Sequence, residues 1–216
     1  RVLFRSYGSG NNKIFRLAKT SHVLVLNPDT ILSKNCINEL IHQANLIKNK
    51  FAILAPSEKN IIKKAIMEVD HVKGFSMLVN LSKIKKIKMF DENFFLYLEE
   101  IDLCKRLKLA SEKIYICSKA KITHLSAKSS NIGFEFEKCR NWHWMWSKVY
   151  YNKKYKNFFY VLRKAFLTIF FNYTKGILFY LFNRKISQIY FLRGSGTLNA
   201  IMGKNSWYRP KINLTN

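Results

Sequence analysis

The sequence predicts an α/β protein, a mixed sheet flanked by helices, followed by a helical extension rich in basic and aromatic residues. Short apolar segments of strand length alternate with longer segments whose apolar residues follow the helical period. The 216-residue chain has 38 Lys and Arg residues against 13 Asp and Glu, and every acidic residue lies in 1–137. The range 138–216 has 15 basic residues and 20 of the 32 aromatic ones. We therefore predict a core at 1–137 and an extension at 138–216.

Five segments have the composition and the boundaries of strands. The apolar segment 21–26 is followed by the turn-forming residues Asn27-Pro28-Asp29, and the strand 51–55 is predicted to end at Pro56. The other predicted strands are 75–79, 114–117 and 120–124. Strands that alternate with helices in this way are typical of a sheet covered on both faces.

Two segments have the pattern of helices, and one glycine-rich segment has that of a turn. Ser33 is predicted to cap a helix, and a second helix is predicted from 99 to 110. The segment 8–12, Gly-Ser-Gly-Asn-Asn, suits a phosphate-binding loop or a plain turn, and the turn is the favoured interpretation. The predicted buried face of the first helix consists of Ile37, Leu40, Ile41, Ala44 and Ile47.

The composition excludes a disordered chain and does not indicate a disulfide-stabilised or zinc-binding protein. Hydrophobic residues make up 48% of the sequence, which suffices for one sizeable core. The four cysteines are far apart and have no zinc spacing, so we interpret them as reduced cytosolic thiols. They are Cys36, Cys104, Cys117 and Cys139.

An acidic cluster is the strongest indication of chemistry. Five of the 13 carboxylates lie within the twelve residues 91–102, among apolar and aromatic side chains. Carboxylates that are crowded together repel one another, so the pKa of at least one of them is raised. A raised pKa suits a general base that works near neutral pH. The competing interpretation is that Glu99, Glu100 and Asp102 only stabilise the first turn of a helix through its dipole.

Polar residues also follow two of the predicted strands. Asp29 comes after the first strand, and its carboxylate suits a hard divalent cation; on its tetrapeptide alone, a simple turn is favoured. His124 ends the last strand, where a metal ligand, a residue that stacks on a base and a structural hydrogen-bonding residue are the alternatives; the last is favoured for a lone His. Because ligands bind beyond the carboxyl ends of strands in such sheets, we expect these groups and the acidic cluster to meet at one edge.

The order of these motifs resembles glycosyltransferase family 2, with the closest similarity to its bacterial rhamnosyltransferase-like branch. The resemblance covers about residues 1–160, and the short pattern Leu192-Arg193-Gly194 extends it weakly. The motifs, in order, are Gly8-Ser9-Gly10-Asn11-Asn12, Leu26-Asn27-Pro28-Asp29-Thr30, Val72-Lys73-Gly74-Phe75, the segment 90–107 with Glu99-Glu100-Ile101-Asp102, and His124.

On the donor side, the resemblance implies a Rossmann-like GT-A fold that binds a nucleotide-diphosphate sugar and a divalent metal, Mg or Mn. Asp29 would take the place of the metal-binding Asp of the family, and His124 would complete the metal site. Asn12, Asn27 and Gly74 would contact the bound nucleotide sugar. The resemblance also implies that this sequence lacks about the first quarter of the family's catalytic domain, which would come before these motifs.

On the acceptor side, the resemblance implies inversion at the anomeric carbon and transfer to a hydroxyl of a glycan or lipid-linked acceptor in cell-surface polysaccharide synthesis. Glu99-Glu100 matches a Glu-Asp pair whose second carboxylate removes the acceptor proton, so Glu100 is the expected base. In this chain that position is Glu, one methylene longer than Asp. Asp102 would support the acceptor side or the helix start.

The extension suggests a membrane partner. Aromatic residues interleaved with lysines suit the cytoplasmic surface of an anionic membrane, where we expect a peripheral location. The 19 residues 165–183 contain a single charge, so a marginal span is the alternative to interfacial helices. Nucleic-acid binding is a less favoured interpretation, and helices that simply pack on the core are another. For the whole chain, a catalytically inactive, membrane-bound interaction module is the alternative to an enzyme.

Overall fold

A computed structural model describes residues 6–58, 64–125 and 133–210. Within these ranges the chain forms seven helices and six strands, which begin and end as follows. In chain order they are α1 (Tyr7–Leu17), β1 (His22–Leu26), β2 (Thr30–Leu32), α2 (Cys36–Leu46), β3 (Ile53–Ser57), β4 (Ile66–Glu68), β5 (Ser76–Asn80), α3 (Leu81–Lys86), α4 (Glu99–Leu109), β6 (Ile114–His124), α5 (Gly133–Tyr155), α6 (Phe158–Tyr180) and α7 (Arg184–Ile201).

The strands form one mixed sheet, which confirms the predicted α/β class. The order is β1-β5-β3-β6-β2, and β4 also pairs with β6. Only the β3–β6 pair is parallel among the described strands. The long strand β6 therefore connects β3 and β4, along its first half, with β2, which pairs with Ile122–His124.

The described residues group into two compact units. The sheet unit contains 8–91 and 99–125, with all six strands and the helices α2 to α4. The helical unit contains 92–98 and 133–210, with α5 to α7. The segment 92–98 thus groups with helices that lie far from it in the sequence.

Helix α2 begins later and faces the sheet differently than predicted. It begins at Cys36 after Asn35, which makes no side-chain capping bond, and Ser33 contributes only its carbonyl, which accepts from Cys36 N at 2.9 Å. Ile37 and Ile41 are 46% and 51% exposed. Their positions lie about 100° around the helix from the stripe that is buried. That stripe consists of Cys36, Leu40, Gln43 and Ala44, and its apolar members pack against Phe51, Leu54, Cys117 and Ala120.

Two strand boundaries differ from the prediction. β3 continues through Pro56 to Ser57, because the register shifts between these two residues and a proline is tolerated at such a bulge. The two strands predicted at 114–117 and 120–124 form the single strand β6. Ser118 lies between the two predicted strands, and its hydroxyl donates a hydrogen bond to the carbonyl of Lys64 at 2.6 Å.

The glycine-rich segment 8–12 is helical, so the predicted turn is wrong. Asn12 is 1% exposed and exchanges two hydrogen bonds with the backbone of Phe90, at 2.9 and 3.0 Å. Phe15 stacks on the same Phe90 ring at 5.9 Å. A Cβ at Gly8 would lie 3.0 Å from Phe90 Cβ. These tertiary contacts stabilise α1 and override the low helix propensity of glycine and asparagine.

The helical unit is held together by close approaches at glycine. A Cβ at Gly196 of α7 would lie 2.4 Å from the carbonyl oxygen of Trp142 in α5, and one at Gly194 would lie 2.9 Å from the Tyr173 ring of α6. Trp142 is completely buried. No helix in the described ranges is both long and apolar enough to cross a membrane.

Candidate active site

The turn between β1 and β2 places Asp29 beside the end of β6. Asn27 N donates to the carbonyl of Phe75 at 2.8 Å, and Thr30 closes the turn by donating its hydroxyl to the carbonyl of Asn27 at 2.6 Å. Thr30 pairs with His124 in the antiparallel register of β2 and β6. The structure therefore brings together two predicted site residues, Asp29 and His124, that are 95 positions apart in the sequence.

Asp29 is a buried carboxylate with an incomplete set of partners. It is 9% exposed, and its Oδ2 lies 3.2 Å from Nε2 of His124. Its Oδ1 is buried and has no hydrogen-bond partner among the described residues. Because a buried, unpaired carboxylate oxygen is unfavourable, this arrangement fits a cation bound at Oδ1.

The side chains of Asp29 and His124 supply only part of the coordination shell of a hard divalent metal. Carboxylate oxygen suits Mg²⁺ and Mn²⁺, and imidazole nitrogen is a common ligand of transition metals. In the part of the chain that the structure describes, no group of three or more His, Cys, Asp or Glu side chains is placed to hold a metal ion. Asp29 and His124 would therefore need substrate phosphates or water to complete the coordination, which is usual for Mg²⁺.

Phe75 is a site residue that the sequence reasoning did not single out. Its ring stacks on the imidazole of His124 with a centroid distance of 4.4 Å and an interplanar angle of 14°. It is 8% exposed and directly follows Gly74, which is partly buried. Its place in the motif Val72-Lys73-Gly74-Phe75 was the signal that could have identified it.

A cavity of about 280 Å³ lies next to Phe75 in the sheet unit. Two of its polar side chains, Lys73 and Glu58, are paired at 2.5 Å. A third, Ser76, is 1% exposed and its hydroxyl has no hydrogen-bond partner among the described residues. Small polar ligands suit such a cavity. Its described lining is Ala55, Pro56, Ser57, Glu58, His71, Val72, Lys73, Phe75, Ser76 and Ile116.

Glu99 and Glu100 begin α4, and burial raises the pKa of both side chains. Glu99 is 7% exposed, and burial, followed by the charge of Glu100, raises its pKa to about 8. Burial also raises the pKa of Glu100, although backbone N–H groups of Glu100 and Ile101 and the nearby His71 partly oppose this. Glu100 is only half-buried. It is therefore the more accessible carboxylate of the pair.

The backbone immediately before this pair is in an unusual conformation. Tyr97 and Leu98 both have left-handed φ angles, 71° and 68°. Such a conformation costs about 1–2 kcal/mol per non-glycine residue. Consecutive residues of this kind are concentrated at functional sites, where they direct the following side chains.

Asp102, which was predicted to support the acceptor side or the helix start, is buried near the start of α4. Its side chain is 0% exposed and accepts a hydrogen bond from Nε of Arg106 at 2.7 Å. Arg106 also donates to the carbonyls of Ile87 and Met89, at 2.5 and 2.6 Å. Through Arg106, Asp102 holds α4 against the loop before it.

The three other residues predicted to contact the nucleotide sugar, Asn12, Asn27 and Gly74, differ in their burial. The amide of Asn12 is engaged with Phe90 inside the protein, which leaves it unsuited to the predicted contact with a nucleotide. Asn27 is half-buried and follows β1, three residues before Thr30. Asn27 and Gly74 are the two predicted contacts that stand close in sequence to Asp29 and Phe75.

Two known proteins that are similar to this chain are sugar transferases. No protein-family model matches the chain. The chain is 29% identical to the low-salt glycan biosynthesis hexosyltransferase of Haloferax volcanii, over 55% of the chain and 48% of that protein. It is 27% identical to a rhamnosyltransferase of Escherichia coli, over 63% of the chain and 67% of that protein. The match thus spans about half of the first relative's length, and both relatives are named as sugar transferases.

Proposed function

We propose that this chain acts as an inverting, metal-dependent glycosyltransferase of family 2. It transfers a hexosyl or rhamnosyl group from a nucleotide-diphosphate donor to a hydroxyl of a glycan or lipid-linked acceptor in cell-surface polysaccharide synthesis. The observation that carries this proposal is the 3.2 Å pairing of Asp29 with His124, in which one buried Asp29 oxygen has no partner among the described residues. The names of the two relatives support the same class.

The donor side of the reaction depends on β1, β2 and β6. Asp29 and His124 would hold Mg or Mn, which when bound stabilises the negative charge of a nucleotide diphosphate. Phe75 fixes the plane of the His124 ring by stacking on it. The cavity beside Phe75 is a place for polar groups of the donor, since the hydroxyl of Ser76 has no hydrogen-bond partner in the part of the chain that the structure describes.

The acceptor side depends on the start of α4. Burial raises the pKa of Glu99 to about 8, so Glu99 holds its proton at neutral pH. Glu100 is the less buried carboxyl of the pair and is the proposed base. Glu100 takes the proton of the acceptor hydroxyl while the acceptor oxygen attacks the anomeric carbon. The bond from that carbon to the diphosphate oxygen breaks on the opposite face, so the configuration inverts. General-base catalysis of this kind contributes about 10²–10⁴-fold in rate.

A peripheral location at the cytoplasmic face of the membrane belongs to the same proposal. Helix α6 exposes large apolar side chains: Phe158 and Phe159 are 70% and 78% exposed, and Phe166 is 67% exposed. Just after its end, Leu181 and Phe182 are 83% and 84% exposed. Large apolar side chains that are exposed in such number suit an interaction with a membrane surface. Basic residues within the same stretch of chain, Arg163, Lys164, Lys175, Arg184 and Lys185, suit anionic headgroups.

Metal binding tests the proposed function most directly. Mn²⁺ is titrated into the protein in the presence of UDP or dTDP, and free Mn²⁺ is measured by electron paramagnetic resonance. We expect Asp29→Asn to weaken Mn²⁺ binding at least tenfold, because the variant removes the anionic ligand. Asp70→Asn is the control, since the Asp70 side chain is 79% exposed. Equal Mn²⁺ binding by wild type and Asp29→Asn would contradict the metal assignment.

A further inference from the structure

A second cavity, of about 420 Å³, lies wholly within the helical unit. It is larger than the cavity beside Phe75 and has a different chemical character. Two arginines, one amide, one carboxylate and two aromatic rings line it. Paired arginines are typical of sites for polar, anionic ligands. Its lining is Tyr97, Glu137, Arg140, Asn141, Trp144 and Arg193.

Both arginines of this cavity are held by their inner nitrogen atoms. Arg140 Nε donates to the hydroxyl of Tyr97 at 2.6 Å, and Arg193 Nε donates to Oδ1 of Asn141 at 2.7 Å. Among the described residues, the terminal nitrogens of these two guanidinium groups have no hydrogen-bond partner. Two oriented guanidinium forks with free terminal donors match the oxygens of a phosphate group.

The same cavity also offers an aromatic surface. Trp144 is 44% exposed and meets the Tyr97 ring edge-to-face at a centroid distance of 5.5 Å. An exposed tryptophan in a polar cavity can cover the apolar C–H face of a sugar ring. Glu137 is exposed beside it and can accept hydrogen bonds from sugar hydroxyls. The two arginines and Glu137 leave the lining with a net positive charge.

We infer that this cavity binds a sugar that carries a phosphate group. Arg140 and Arg193 hold the phosphate oxygens, and Trp144 stacks on the ring. Resting on the proposed function, this ligand is the phosphate-bearing sugar of the acceptor. Two guanidinium charges match a phosphate dianion better than a single carboxylate.

Isothermal titration calorimetry with a panel of hexose 1-phosphates, in EDTA and at fixed ionic strength, tests this inference. We expect at least one hexose 1-phosphate to bind tenfold or more tightly than its parent hexose. Arg140→Gln and Arg193→Gln should each weaken that binding at least tenfold. Trp144→Ala should weaken hexose 1-phosphate binding while leaving inorganic phosphate binding unchanged. Arg16→Gln, which removes an exposed charge from α1, is the matched control and should bind like wild type.

Several outcomes would overturn the inference. Unchanged binding by both arginine variants, with helical content verified by circular dichroism, would exclude the cavity as the site. Equal binding of the corresponding uronic acid would exclude phosphate recognition. Displacement of the hexose 1-phosphate by UDP, lost in the arginine variants, would show that the cavity takes the donor in place of the acceptor. Because EDTA removes the metal, failure of the Mn²⁺ experiment at Asp29 does not affect these results.

Discussion

At the scale of single residues, Glu100 carries the proposed chemistry. Glu100→Gln keeps the size of the side chain but removes its ability to take a proton. We expect the rate of transfer to fall by about 10²–10⁴-fold, while nucleotide binding stays close to wild type. Turnover is measured as release of nucleoside diphosphate with a matched acceptor.

Glu68→Gln is the control for that experiment, because the Glu68 side chain is half exposed and, among the described residues, pairs with Lys113. Its turnover should equal that of wild type. If Glu100→Gln also keeps wild-type turnover, Glu100 is not the base.

Glu99 links the site to the pH dependence of stability. Burial raises its pKa from 4.5 in a free side chain to about 8 in the folded protein. The neutral acid of the folded state therefore contributes its full stability below pH 4.5, and this contribution is lost as the pH rises to 8. Each unit of pKa difference corresponds to about 1.4 kcal/mol.

Glu99→Gln is expected to remove this pH dependence. Urea unfolding should show the variant to be more stable than wild type at pH 8.5 and to differ little from it near pH 4.5. Glu68→Gln should leave the slope of stability against pH between these values unchanged. A variant whose stability falls with pH as steeply as that of wild type would mean that Glu99 ionises normally in the folded state.

At the scale of elements, α5 and α7 approach so closely that only glycine fits between them. A Cβ at Gly196 would meet the carbonyl oxygen of Trp142 at 2.4 Å, and a backbone atom cannot move away alone. Gly196→Ala should therefore destabilise the protein by about 1–3 kcal/mol. Thermal unfolding followed by tryptophan fluorescence measures this change.

Gly10→Ala is the matched control, because nothing lies within 4 Å of a Cβ at Gly10 in helix α1. Alanine there should be neutral or stabilising, by up to about 1 kcal/mol. Equal effects of the two substitutions would show that the contact between Gly196 and Trp142 is absent in solution.

The sequence pattern predicted some helices and strands correctly and others only in part. Strand β1 and helix α4 were predicted to within one residue at each end. Their apolar residues follow the pattern of a single type of secondary structure. The buried face of α2 was predicted only in part, since Ile37 and Ile41 are apolar but lie outside the stripe that faces the sheet. Helix α1 was missed because its stability comes from Phe90, 78 residues after Asn12.

At the scale of the whole molecule, the net charge of +25 and the exposed aromatic residues of α6 predict binding to anionic membranes. Flotation with liposomes that contain phosphatidylglycerol should recover the protein in the top fraction. Substitution of Phe158 and Phe159 by Ser should reduce that fraction severalfold, and raised salt should weaken binding because charges are screened.

Liposomes made only of phosphatidylcholine are the control, and they should retain much less protein. If the protein does not float with anionic liposomes but binds oligonucleotides in a salt-sensitive way, the membrane proposal fails and the nucleic-acid alternative takes its place.

The sequence by itself determined the fold class and pointed to the proposed enzyme class and to the candidate residues Asp29, His124 and Glu100, because short motifs and their order are local properties of a chain. The tertiary structure decided which of these residues can act. It paired Asp29 with His124 through the register of β2 and β6, and it buried Asp102 against Arg106. It also placed Arg140 and Arg193 around one cavity. Contacts between residues far apart in sequence depend on packing and strand register, which no local pattern encodes.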